Sequence, residues 1–135
     1  MSHKNRKAKL IARGCREIAK RIQTRGFIHS LGRNSSIDDK GKCRCAFGHA
    51  VDLAIPGFVK GIRKFWVKSG GFVTPKYLLN EDLFRDAART EPTKELCELL
   101  FDLSVYNDTL SGKNRRTRVG DTLNRIAATI ERDYR

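Results

Sequence analysis

Apolar residues recur at helical spacing near both ends of the chain. Near the N-terminus four of them follow one another at intervals of four, three and four residues, which predicts an amphipathic helix over about residues 4–25. Near the C-terminus the same intervals predict a last helix over about residues 117–134. The residues that define the two stripes are Ile11, Cys15, Ile18 and Ile22 in the first helix, and Val119, Leu123, Ile126 and Ile130 in the last.

Shorter helices are predicted between these two. A helix over about residues 45–55 is stopped by Pro56 and the glycine that follows it. Asn80 can cap a helix that reaches about Arg89, and Thr90 or Thr93 can cap the next one, which carries four leucines on one face. Residues 58–68 fit either a helical stripe or the start of a strand, and residues 106–114 form a polar connection.

The connections and the helical patterns together predict an all-α fold. Residues 27–43 are rich in glycine, serine and asparagine and predict a loop, with room for a short hairpin within the 27–44 segment. About five helices with short connections indicate an irregular bundle, and 135 residues suit a single domain over residues 1–135.

The cellular compartment is predicted from what the sequence lacks. No apolar run approaches the roughly 20 residues that cross a bilayer, and the basic residues 1–25 contain no apolar core of a signal peptide. Four cysteines without the spacing of a disulfide scaffold favour reduced thiols. We therefore expect a cytoplasmic protein that does not contact a membrane.

Composition adds a large positive charge. The formal net charge is +13, from 28 lysines and arginines against 15 acidic residues. Solubility needs a net charge of only about 2–8 for a small domain, so the excess points to a negatively charged partner. The charge is also segregated, because residues 81–108 are mainly acidic whereas three other segments are basic.

The basic segments predict contacts to the phosphate backbone of DNA or RNA, without sequence specificity. One segment is the polar face of the first helix, another is the run before the last helix, and the third lies within residues 60–68. The alternatives are a solvated charged face, or an accessory protein of phage type that binds an acidic surface of a host protein complex. The predicted contact residues are Lys9, Arg13, Arg16, Lys20, Lys64, Arg115, Arg116 and Arg118.

A second candidate site is the cluster of Cys43, Cys45 and His49. Thiolate and imidazole groups bind zinc, so a structural zinc ion is one interpretation, with a fourth ligand from elsewhere in the chain. The alternative is two small buried side chains and a hydrogen-bonded histidine. A Cys45–His49 nucleophilic pair would lack an orienting partner, so we predict no enzymatic activity.

Two short segments of the sequence, residues 45–50 and 106–108, carry motifs that resemble those of a family of small, uncharacterised helical proteins from bacteria and their phages. Residues 45–50, Cys-Ala-Phe-Gly-His-Ala, resemble a C-x-x-G-A motif, and Tyr106-Asn107-Asp108 resembles a W-N-D motif. The sequence departs from this pattern at His49, which separates the glycine and alanine, and at Tyr106, which replaces tryptophan. The resemblance implies a helical fold and a bacterial or phage origin, and it implies no reaction.

Overall fold

The computed structural model describes residues 3–23, 46–56 and 93–133, and every regular element in these ranges is an α-helix. The four helices are α1 (His3–Ile22), α2 (Ala46–Ala54), α3 (Lys94–Thr109) and α4 (Gly112–Asp133). The predicted all-α class is thus confirmed for the described residues, whereas the count of five helices is not.

The two long helices bury the stripes that the sequence predicts. All eight residues of the two stripes are at most 1% exposed, and they form one apolar core with residues of α2 and α3. Phe47 of α2 and Leu96, Leu100 and Leu103 of α3 complete this core. Burial of a large aliphatic or aromatic side chain stabilises the fold by about 1.5–3 kcal/mol, so the shared core accounts for most of the packing energy.

Helices α3 and α4 form an antiparallel hairpin. Thr93 caps α3, because its Oγ1 accepts a hydrogen bond from the Leu96 backbone N–H at 3.3 Å. The same Oγ1 donates to Asp133 Oδ2 at 2.8 Å, which joins the start of α3 to the end of α4. At the other end only Leu110 and Ser111 separate the two helices, and Gly112 takes a φ of +58°. Glycine suits this position because it has no Cβ to clash in the left-handed region.

Helix α1 packs against α4 in the opposite direction and also crosses α2 closely. Gly120 of α4 faces Ala19 and Gln23 at the end of α1, whereas Arg16 pairs with Glu131 near the end of α4. The two helices are therefore antiparallel. Against α2, a Cβ on Gly14 would lie 2.3 Å from the Ala50 carbonyl oxygen, so the backbones approach to a distance that only glycine permits.

The structure corrects one predicted connection. Residues 106–114 do not form a loop, since α3 continues to Thr109 and α4 already begins at Gly112. In the sequence, Gly112 and Asn114 favour a loop between the two helices, but a turn centred on one glycine is sufficient here.

Three predictions lie outside the described residues: the helix that ends near Arg89, the ambiguous 58–68 stretch and the 27–44 hairpin. No helix in the described ranges is both long enough and apolar enough to span a membrane.

Candidate nucleic-acid interface

The outer face of α1 carries a row of basic side chains. Its members lie at intervals of three or four residues, and at 100° per residue they fall within an arc of about 80°. This arc lies opposite the buried stripe of the same helix, and every member is exposed. We call this row the cationic stripe; it consists of Arg6, Lys9, Arg13, Arg16 and Lys20.

Among the described residues, carboxylates pair with two basic side chains of this helix. Arg16 Nε donates to Glu131 Oε1 of α4 at 2.9 Å, and both side chains are about half exposed. Glu17 accepts from Arg21 Nε at 3.1 Å, one turn away and beside the stripe. Within the described ranges, no carboxylate forms an ion pair with the other four members of the stripe. The stripe therefore retains most of its positive charge.

Arg115 does not belong to the exposed basic surface, although the sequence places it there. Its side chain is only 5% exposed, and its Nε donates to the Asn107 carbonyl oxygen at 2.9 Å. Asn107 is itself buried, and its Oδ1 accepts from the Ala46 backbone N–H at 3.2 Å while its Nδ2 donates to Asp108 at 2.9 Å. The guanidinium thus ties the end of α3 to the start of α4. A side chain held in this way cannot reach a phosphate, so we remove Arg115 from the predicted contacts.

The other two predicted arginines of this region lie within the first turns of α4. Arg116 is half-buried, and it is one turn before Gly120, on the side of α4 that faces the end of α1. Arg118 is exposed on the other side, where its guanidinium carbon lies 5.8 Å from the centre of the Tyr106 ring. This is within the range of a cation–π interaction. The structure therefore separates Arg118 from the cationic stripe. Lys64 lies outside the described residues.

A groove of about 550 Å³ runs between α3 and α4, and its walls carry opposite charges. Arg118, Arg125 and Arg132 recur at seven-residue intervals along α4, and the last two line this groove opposite Glu95, Glu98 and Asp102 of α3. Arg132 Nη2 pairs with Glu95 at 2.6 Å and its Nε pairs with Asp133 at 3.0 Å. The hydrogen bonds to Asp133 and Glu95 raise the pKa of the Arg132 guanidinium, and both ion pairs lie in reach of solvent because this side chain is about half exposed.

The sequence predicts neither this groove nor the ion pair between Glu131 and Arg16. The seven-residue repeat of arginines is visible in the sequence, and so are the acidic residues of α3. What the sequence does not give is that α3 and α4 form a hairpin with these two rows facing each other. Knowledge of the short Leu110–Ser111 connection would have predicted it, because short connections join antiparallel neighbours.

The proposed zinc cluster lies only partly within the described residues. His49 is half-buried in α2, whereas Cys43 and Cys45 fall outside the described ranges. Among the described residues, no three histidine, cysteine or acidic side chains lie together as a metal site. The zinc interpretation stays a prediction.

The two described cysteines, Cys15 and Cys97, are free thiols. Burial raises the pKa of Cys15 to about 12, although the positive charge of Arg16 acts in the opposite direction. Cys15 is therefore a core residue rather than a nucleophile.

No protein-family model, curated protein or solved structure matches this chain. The resemblance to small bacterial and phage proteins accordingly stays a prediction, and functional inference depends on the geometry of the described helices.

Proposed function

We propose that this protein binds nucleic acid through the phosphate backbone, and that the cationic stripe of α1 is the main contact surface. The observation that carries the proposal is the alignment of five exposed cations on one face of a single helix. Arg116 can extend this stripe, since it is one turn before Gly120, the residue of α4 that contacts the C-terminal end of α1.

The dimensions of the stripe suit a row of phosphates. From Arg6 to Lys20 the helix rises about 21 Å, at 1.5 Å per residue. Along one strand of a duplex, phosphates follow one another every 3.4 Å of axial rise, but the strand also winds around the duplex, so the straight stripe can contact the few phosphates that face it. Each cation that neutralises a phosphate releases a counterion, which makes the affinity depend on the number of unpaired cations.

The lack of an apolar anchor on α1, as far as its side chains are described, favours nucleic acid over an acidic protein surface. Among the described residues, the exposed large apolar side chains are Leu53, Phe101 and Val105, and none of them lies on α1. Protein interfaces derive most of their affinity from a few buried aromatic, aliphatic or arginine anchors. Apart from its three arginines the stripe contains no such anchor, so it provides mainly charge attraction, which is the chemistry of phosphate contact.

The same geometry favours binding without sequence specificity. Base readout needs side chains that reach base edges within a groove, whereas contacts from a charged row to phosphates position a protein without reading sequence. We propose a cytoplasmic location, in a bacterial or phage-infected cell, because nucleic acid is accessible there.

Fluorescence anisotropy with labelled duplexes of about 20 base pairs tests this proposal, using two unrelated sequences. The four stripe cations that pair with no carboxylate of the described residues predict a slope of log K against log salt of about −3.6, at 0.9 per neutralised phosphate. This slope is about a hundredfold loss of affinity between roughly 50 and 200 mM salt. We expect both sequences to bind alike, and Arg13→Glu to weaken binding to both.

Lys94→Glu is the matched control, because it makes the same change of charge at an exposed position on α3. Flat isotherms at low salt, or equal effects of Arg13→Glu and Lys94→Glu, would reject the stripe as the contact surface. A protein partner recovered from nuclease-treated lysate, together with flat isotherms, would instead favour the accessory-protein interpretation.

A further inference from the structure

Arg16 is the one member of the cationic stripe that is bound to a carboxylate within the described residues. Its partner, Glu131, belongs to α4, 115 residues later in the chain, so the pair forms only because α1 and α4 pack side by side. The exposed fractions of the two side chains are 47% and 44%. The carboxylate therefore lies at the edge of the stripe and within reach of solvent.

A carboxylate and a phosphate present the same kind of acceptor to an arginine. Both bind the guanidinium through charge-assisted hydrogen bonds from its N–H groups, and both neutralise its charge. An exposed ion pair contributes little to stability, because water and salt screen it. A phosphate can consequently replace Glu131 at Arg16 without disturbing the core beneath, where Cys15 and Ile18 are buried.

We infer that Glu131 occupies a phosphate position of the stripe in the free protein, and that it competes with the phosphate backbone for Arg16. This inference rests on the proposed function. It assigns to Glu131 the role of weakening nucleic-acid binding, although the residue lies on a different helix from the contact surface.

Competition has two measurable consequences. Removing the carboxylate charge should strengthen binding by about 1.4- to fivefold at low salt, the range that corresponds to an exposed pair of 0.2–1 kcal/mol. It should also steepen the salt dependence by about one phosphate, so that the slope of log K against log salt changes by about −0.9. Removing a carboxylate also raises the net positive charge of the protein. A gain in affinity that came only from this change would not depend on Arg16.

The test compares Glu131→Gln with Glu98→Gln, using the same labelled duplex and salt series. Glu98 is exposed on α3 and gives the same change of charge away from the stripe. A second pair of variants carries the same substitutions on an Arg16→Gln background. We expect Glu131→Gln to strengthen binding more than Glu98→Gln when Arg16 is present, and both to have equal effects when it is absent.

The outcomes separate this inference from the function on which it rests. Wild-type protein that binds the duplex, with equal effects of Glu131→Gln and Glu98→Gln, would overturn the competition alone. An advantage of Glu131→Gln that persists on the Arg16→Gln background would also overturn it, because the carboxylate would then act by another route. Wild-type protein that does not bind the duplex would overturn both proposals. Circular dichroism of each variant checks that the helices are retained.

Discussion

Arg115 donates a hydrogen bond from its Nε to the carbonyl oxygen of Asn107, at a point where both side chains are buried. The two residues lie eight positions apart, on either side of the turn between α3 and α4. The carbonyl oxygens in the last turn of a helix have no partner within that helix, so the guanidinium satisfies one of them. Asn107 in turn accepts from the first residue of α2, which extends the junction to a third helix.

Arg115→Ala should lower the free energy of unfolding by about 2–3 kcal/mol, the range of a lost hydrogen bond to a charged group together with lost packing. Arg115→Lys should also destabilise the protein, because an ammonium lacks the planar guanidinium that reaches the carbonyl. Urea unfolding followed by circular dichroism measures both. Lys113→Ala, at an exposed position two residues earlier, should change stability by less than about 0.5 kcal/mol. Equal effects at the two positions would contradict the junction.

Two glycines in the long helices should respond in opposite ways to alanine. Gly14→Ala places a Cβ 2.3 Å from the backbone oxygen of Ala50, and overpacking of this kind typically costs about 1–3 kcal/mol, more than the roughly 1 kcal/mol that alanine gains in a helix. Gly120→Ala meets the end of the exposed Gln23 side chain at 3.1 Å, which can move aside, and the Ala19 carbonyl oxygen at 3.7 Å, which is an ordinary contact distance. We expect Gly14→Ala to lower the melting temperature and Gly120→Ala to leave it unchanged or raise it. A melting temperature that Gly14→Ala leaves unchanged or raises would show that the α1–α2 crossing is not tight.

The sequence predicts the helices better than it predicts the site. The periods that define α1 and α4 are local, so residues such as Ile18 and Ile126 can be assigned to the core without knowledge of the fold. The positions of charged side chains depend on which helices are neighbours. Arg115 and Arg118 look alike in the sequence, yet one is buried at a junction and the other lies over Tyr106. The pair of Arg16 and Glu131 follows from the antiparallel packing of the first and last described helices, which no local pattern reveals.

The buried thiol of Cys15 predicts a loss of stability at high pH. Burial raises its pKa from 9.0 to about 12 in the folded protein, so between these values the unfolded chain loses a proton that the folded chain keeps. The contribution of this thiol to the free energy of unfolding is therefore fully present below about pH 9 and is lost as the pH rises toward 12. One pKa unit corresponds to 1.36 kcal/mol, so the decrease between pH 8 and 10.5 should be roughly 1–2 kcal/mol.

Cys15→Ala isolates this contribution from those of other groups that titrate in the same range. The difference in unfolding free energy between wild type and Cys15→Ala, measured in urea at several pH values, should shift in favour of the variant as the pH rises above 9. A difference that stays constant from pH 8 to 10.5 would show that the thiol ionises equally in both states.

The stripe and the groove should differ in their contribution to phosphate binding. Arg13 lies on the stripe with no carboxylate paired to it among the described residues, whereas Arg125 lines the groove with Glu98 and Asp102. Neighbouring carboxylates already offset the charge of Arg125, so its neutralisation should release few additional counterions. We expect Arg13→Gln to make the salt slope less steep by about 0.9, and Arg125→Gln to change it by less than about half of that. Salt titrations of duplex binding measure both slopes. A larger change for Arg125→Gln would place the phosphate contacts on the α3–α4 hairpin instead of α1.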